Sequence, residues 1–223
     1  MRLSEAEHLA VTEAVARAEQ RSDGEIVTVV AARSDAYHDV GLHYAVLAML
    51  LVPAALAFLP QSWIDWGLGL VFGWNASPSR AALMLLLFVL LTVKFLAVRF
   101  LLAWMPLRMA LTPASTKNRR VRRRAVELFR ASAEHRTTGR TGILLYLSLL
   151  EHRAEIVADE AIHSRVEADA WGEAMADLVE QVKAGRIGDG MVKAVERIGG
   201  VLAEHLPASR DNPNELPDRL VEL

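Results

Sequence analysis

The chain has 223 residues, 52% of them hydrophobic, and a formal charge of −2, which suits one domain with its own core and gives no overall bias toward nucleic acid. It contains no cysteine, and this excludes a disulfide framework, a thiolate metal site and a cysteine nucleophile. The apolar residues are unevenly spread: about Gly41 to Trp104 is almost entirely apolar, whereas both flanks are rich in Asp, Glu, Arg and Lys.

Leu3 to Ser22 predicts a helix. Ser4 followed by Glu7 is a capping-box pattern, Leu9, Ala10, Ala14 and Ala18 trace one apolar stripe, and Gly24 closes the segment. GEIVTVVAA then supplies Ile26, Val27, Thr28, Val29 and Val30, a β-branched run with weak alternation that predicts a strand buried on both faces. One buried strand is not stable alone, so its partners are expected beyond the apolar centre.

Gly41 to Leu59 carries no formal charge over the length that crosses a hydrocarbon core as helix. Pro53 inside it is tolerable in a membrane helix. Ala81 to Trp104 is a second apolar run, with Lys94 and Arg99 toward its C-terminal half, where long side chains can snorkel to headgroups. Trp63, Trp66 and Trp74 between the runs predict an interfacial connection anchored by indoles. The alternative, a buried hairpin in a soluble protein, would keep a polar face that neither run has. The N-terminal segment lacks the basic start of a signal peptide. Arg108, Lys117, Arg119, Arg120, Arg122, Arg123 and Arg124 follow the second run, against Arg80 in the loop, so the positive-inside rule predicts a two-pass inner-membrane protein with both termini cytoplasmic.

Asn118 to Thr138 predicts a helix with Val121, Ala125, Leu128 and Phe129 on its apolar face and Arg on the other. GILLYLSL from Gly142 predicts a second buried strand, Glu151-His152-Arg153 a turn, and AEIVAD a third strand in a hairpin with the second. Helices are expected at Ala168 to Lys183 and Asp189 to Leu206, joined through Gly185, a residue suited to a left-handed helix end. The tail with Pro213 and Pro217 is expected to be extended before a short final turn.

These flanks resemble the TPM domain family, named for thylakoid, photosystem-associated and acetylcholine-receptor-modulator proteins often called TPM phosphatases. The resemblance rests on Gly24 to Val30 after an amphipathic helix, on the run from Gly142 to Val157 followed by two helices, and on Ala184-Gly185-Arg186-Ile187-Gly188-Asp189-Gly190 between them. It implies a small α/β domain, with acid phosphatase activity or divalent-cation binding as in some members. Many members have a Gly-Tyr-Gly-Leu-Glu-Gly type loop after the third strand, where this chain reads Ala158-Asp159-Glu160-Ala161-Ile162-His163. The expected fold is thus α/β, a small three-layer TPM-like domain interrupted by a two-helix transmembrane hairpin. Its segments are 1–40 and 106–207 for the domain, 41–105 for the hairpin and 208–223 for the tail.

Asp159 and Glu160 fall where the third strand ends, the kind of position at which α/β sheets commonly bind ligands. With Asp35 and Asp39 after the first strand, they are candidate oxygen ligands for Ca²⁺ or Mg²⁺, beside the alternative that they solvate a loop. His163 adjoins them, while His38, His43, His135 and His152 read as solvated or interfacial. No Ser-His-Asp order, phosphate-cradling loop, HExxH or paired-carboxylate pattern occurs. Lys117, Arg119, Arg120, Arg122, Arg123 and Arg124 are the candidate contacts for anionic lipid headgroups. Nucleic acid is the weaker partner, because no aromatic interleaving accompanies the basic run. Two functions follow: an accessory module, non-catalytic or cation-binding, that docks a membrane or cytoplasmic protein, and a membrane-bound acid phosphatase whose site involves Asp159 and Glu160.

Overall fold

Two strands with every residue buried anchor the architecture of the computed structural model, which describes residues 3–134, 137, 139–166, 168–209 and 214–223. In chain order the elements are α1 (Glu5–Glu19), β1 (Glu25–Ala31), α2 (His38–Phe58), α3 (Gln61–Phe72), α4 (Arg80–Leu101), α5 (Met105–Leu111), α6 (Ala114–Ser132), β2 (Gly142–Ser148), β3 (Arg153–Ala158), α7 (Glu160–His163), α8 (Gly172–Lys183), α9 (Ile187–His205) and β4 (Val221–Glu222). A 3-10 turn at Ala168–Trp171 leads into α8. The chain forms two compact units, one from the segments up to Asp35 and from Ala114 onward, the other Ala36–Pro113.

The first unit is an α/β domain with a sheet in the order β3-β2-β1-β4. β1 pairs parallel with β2 from Glu25 opposite Gly142 to Ala31 opposite Ser148, and β2 pairs antiparallel with β3. The period of a strand sorts its side chains by face. Ile26, Val30, Ile143, Leu145 and Leu147 pack with α1, α8 and α9, whereas Val27, Val29, Ala31, Leu144 and Tyr146 pack with Val121, Ala125 and Phe129 of α6. Helices on both faces give the three layers, and explain why the strands read as continuous apolar runs rather than alternating ones.

The capping box at α1 is present: Glu7 N–H donates to Ser4 Oγ at 3.3 Å and Ser4 N–H to Glu7 Oε2 at 2.8 Å. The Ser4 backbone bond is the largest cause holding the Glu7 carboxyl below its ordinary range. Glu7 also meets α9, where Gly188 N–H donates to its Oε1 at 3.3 Å, and a Cβ at Gly188 would come within 2.5 Å of Glu7 Cγ. Gly185 adopts φ +80°, the left-handed helix end expected of it.

Boundaries differ from expectation in places. The basic helix runs Ala114–Ser132 instead of beginning at Asn118, and His135 lies outside the described residues. Among its described residues the tail ends in a strand and not in the short turn expected. Leu216 and Leu220 are buried in the core, and β4 adds to the edge of β1 with Val29 opposite Val221. Two residues of strand are too short to leave a period, so burial of two leucines, rather than a pattern, places the tail.

In the second unit α2 packs against α4. The connection between them is helical over Gln61–Phe72. Arg108 has a structural role in this unit. Its side chain is buried, Nε donates to Leu102 O at 2.7 Å, and the two terminal nitrogens donate to Ala36 O at 2.6 Å and Ala103 O at 3.2 Å. A cation bonded to the carbonyls at the end of α4 also complements the helix dipole.

Candidate functional site

The carboxyl ends of parallel strands are where α/β sheets present ligand sites, and here that end is a polar network. Tyr146 and Ser148 stand two residues apart on one face of β2, and Ser34 follows β1. Ser34 Oγ lies 3.0 Å from the Tyr146 hydroxyl and donates to Ser148 Oγ at 2.9 Å; Ser148 Oγ donates to Glu151 Oε2 at 2.5 Å. With its proton directed at Ser148, Ser34 accepts from Tyr146, so the hydroxyls form one chain that ends on a carboxylate. Ser34 N–H donates to the other Glu151 oxygen at 2.9 Å. Burial pushes the Tyr146 phenol up, with the serine hydrogen bonds opposing. Glu151 reaches this position because it sits in the β2–β3 turn, which His152 closes with φ 48°.

Beside this chain, Asp35 Oδ2 accepts from Arg120 at 2.6 Å and from Arg123 at 3.2 Å. Positions 120 and 123 are one turn apart on α6, so a single helix face presents both guanidinium groups. Asp35 therefore serves the chain's own cations. Arg122 faces Glu155 at 3.5 Å, and Arg124 faces Glu127 at 3.5 Å. Burial raises the Glu155 carboxyl, with the Arg122 charge opposing. Of the basic residues expected to meet lipid headgroups, Arg120 is thus committed to the domain, Arg122, Arg123 and Arg124 share carboxylates, and Lys117 and Arg119 have no acidic partner among the described residues.

Asp159 and Glu160 occupy the opposite end of the sheet. β3 is antiparallel, so Ala158 pairs with Ile143 at the amino end of β2 while Arg153 pairs with Ser148. Roughly 17–20 Å of strand separates Asp159 from the end that carries Asp35. The expectation that neighbouring strands bring Asp35 close to Asp159 and Glu160 is corrected by this reversal. Asp39 belongs to the other compact unit, in the first turn of α2. Asp159 is buried at the start of α7, and its N–H donates to Gly142 O at 2.9 Å. A Cβ on Gly142 would lie 3.2 Å from Asp159 Oδ2. The Glu160 side chain is 85% exposed and 3.6 Å from Arg140. His163 is exposed nearby. Among the described residues, no group of three or more His, Asp or Glu side chains is arranged to hold a metal ion.

A third cluster went unnoticed in the sequence. Glu19, Glu25 and Asp218, with Ala16, Gln20 and Asn214, line a cavity of about 200 Å³. Glu19 Oε1 accepts from Ile26 N–H at 2.8 Å, and Glu25 Oε2 accepts from Leu216 N–H at 3.0 Å and Glu215 N–H at 3.2 Å. Burial raises Glu19 to about 8, with the charges of Glu25 and Asp218 adding to it, and burial raises Glu25 as well. These carboxylates hold the tail to the domain. Their signal in the sequence was weak, since nearly two hundred residues separate Glu25 from Asp218.

In the hairpin unit, His38–Phe58 and Arg80–Leu101 are long and apolar enough to cross a membrane, with little of either buried within the protein.

Compared with known proteins, residues 107–201 match the family model TPM_phosphatase, described as the TPM domain. No curated protein matches the chain. The solved NMR structure of BA42 protein from the psychrophilic bacteria Bizionia argentinensis sp. nov. is similar, with 17% identity and a TM-score of 0.56 over 100% of this chain and 97% of that one. At that identity the likeness concerns the fold.

Proposed function

Because the chain carries a TPM domain, we propose that it is a two-pass inner-membrane protein whose cytoplasmic TPM domain is an accessory module that docks a membrane or cytoplasmic protein. One observation carries the choice of docking over turnover: the polar groups at the ligand end of the sheet are engaged within the chain, Asp35 by Arg120 and Arg123, Glu151 by Ser34 and Ser148. A network satisfied internally gives a fixed surface, which suits recognition. The two apolar helices and the basic residues after the second support the membrane assignment and its orientation. Lys117 and Arg119, with the exposed Arg122 and Arg123, are the groups that would meet anionic headgroups.

Divalent-cation binding, if it accompanies this role, falls to Asp159 and Glu160, because Asp35 lies at the far end of the sheet. Ca²⁺ and Mg²⁺ are the fitting ions for carboxylate ligands. The rival reading, a membrane-bound acid phosphatase, follows from the family likeness alone. The deciding experiment measures phosphomonoester hydrolysis by the full chain in vesicles with and without Ca²⁺ or Mg²⁺, alongside Asp159→Ala. No turnover is expected. Cation-dependent turnover abolished in Asp159→Ala would overturn the accessory module in favour of the hydrolase.

A further inference from the structure

Joining two antiparallel spans takes only a few residues, yet this chain places residues 59–79 between them, including the whole of α3. Leu59 and Pro60 break the helical run before α3 and Gly73 ends it at φ +93°, so α3 is a separate helix and continues neither span. Its length is about 18 Å at 1.5 Å per residue. Trp63, Trp66 and Leu70, at helical spacing i, i+3 and i+7, lie on one face and are 67%, 57% and 61% exposed. On another face Gln61 donates to Asp65 at 2.8 Å. Trp74 folds back over Gly69, where a Cβ would meet its ring at 2.6 Å, so the following loop is held against the helix. Ser62, Trp63 and Trp66 border an open hollow of about 450 Å³.

We propose that α3 is an interfacial helix lying in the headgroup layer of the leaflet distal to the α/β domain, with Trp63, Trp66 and Leu70 inserted at the boundary between headgroups and acyl chains. The inference rests on the two-pass reading, and it adds a lipid-binding surface on the far side of the membrane. Continuity selects lipid as the occupant: α3 is joined at both ends to helices whose long apolar surfaces are exposed in the protein, so a bilayer around those helices brings α3 to its surface. The chemistry fits a neutral headgroup. Residues 59–79 carry Asp65 and no Lys or Arg, and Arg80 at the start of α4 only balances that charge, which leaves no net attraction to anionic lipid, whereas indoles combine apolar area with an N–H donor for carbonyl and phosphate oxygens.

The absence of native cysteine makes the test direct. Full-length Ser62→Cys carrying an environment-sensitive fluorophore is reconstituted into phosphatidylcholine vesicles whose lipids bear a quencher either near the acyl carbonyl or near the terminal methyl. The proposal expects the greatest loss of emission with the shallow quencher, unchanged by added salt, and a weaker loss when Trp63→Ala and Trp66→Ala are added. No quenching at either depth would overturn it, as would stronger quenching by the deep probe, which describes a re-entrant helix. A parallel Leu87→Cys variant in α4 separates the two readings. If Leu87→Cys resists a water-soluble maleimide while Ser62→Cys escapes quenching, the spans stand and the interfacial helix fails; if Leu87→Cys is labelled freely, both fail.

Discussion

The two compact units treat the same kinds of side chain in opposite ways. In the α/β unit Leu144, Leu145 and Leu147 are wholly buried between helical layers, whereas in the hairpin Leu85, Phe88 and Phe100 are each more than 60% exposed. One unit removes its apolar area from water by folding on itself, and the other leaves two helices long and apolar enough to cross a membrane largely uncovered by protein. The difference is already present in the order of residue types. β1 and β2 are short apolar runs bounded by Gly24, Ser34, Gly142 and the Glu151 turn, so helices from the flanks can cover them, but α2 and α4, though packed on each other, leave most of their apolar length exposed.

Equal truncations in the two units should break the symmetry most sharply. Leu145→Ala leaves a cavity in a closed core and is expected to cost about 2–5 kcal/mol of domain stability, read from urea unfolding of the domain in detergent. Phe88→Ala removes surface already open to the surroundings and should leave that unfolding transition within about 0.5 kcal/mol of wild type. Similar losses from both would mean that α4 is packed against protein, contrary to a lipid-facing helix. Arg108→Met tests a buried polar anchor of the hairpin unit. It leaves the carbonyls of Ala36, Leu102 and Ala103 without their donor, at a cost of about 1–3 kcal/mol for a buried unpaired group. Loss of heat resistance in vesicles without any change in the domain's unfolding is the expected signature.

Sequence patterning made the large features legible for physical reasons. A buried strand pair, a capping box and an apolar span are each written in neighbouring residues, so β1, β2, α1, α2 and α4 could be read directly. What escaped depends on contacts distant in sequence. The β2–β3 hairpin puts Asp159 at the far end of the sheet from Asp35 only because β1 pairs parallel with β2, and that pairing joins segments more than a hundred residues apart. Ser34, Tyr146, Ser148 and Glu151 form a network only after β1 and β2 align in register. A small clue existed: Tyr146 and Ser148, spaced by two in an apolar strand, put hydroxyls on one face.

The Glu19–Glu25–Asp218 cluster sharpens the comparison through pH, since it belongs to the unit that folds upon itself. Glu19 holds its proton up to about 8 in the folded protein against an ordinary value of 4.5. The native state then binds more protons than the unfolded state across that interval, so stability contributed by this group is complete below about 4.5 and declines as pH rises through about 8. Melting temperature should fall over that window in the wild type. Glu19→Gln keeps an oxygen for Ile26 N–H and removes the titration, so its melting curve should flatten and exceed that of the wild type at the alkaline end. An unchanged slope would show that other groups set the pH response.

The smallest effect is expected at Glu160. Its side chain is largely in water, and an exposed ion pair such as Glu160–Arg140 contributes little because both ions are already solvated and screened. Glu160→Ala should therefore leave stability within about 0.5 kcal/mol of wild type, while Asp159→Ala, at a buried position beside Gly142, should cost more. Adding Ca²⁺ or Mg²⁺ turns this pair into a test of cation binding, since an ion bound to the native state raises the melting temperature as its concentration exceeds the dissociation constant. A rise in the wild type that disappears in the Asp159→Ala, Glu160→Ala double variant would assign both carboxylates to the ion. Because Asp35 is held at the other end of the sheet by Arg120 and Arg123, Asp35→Ala should leave that rise intact; if it abolished the rise, a cation site joining the two ends would contradict the strand register.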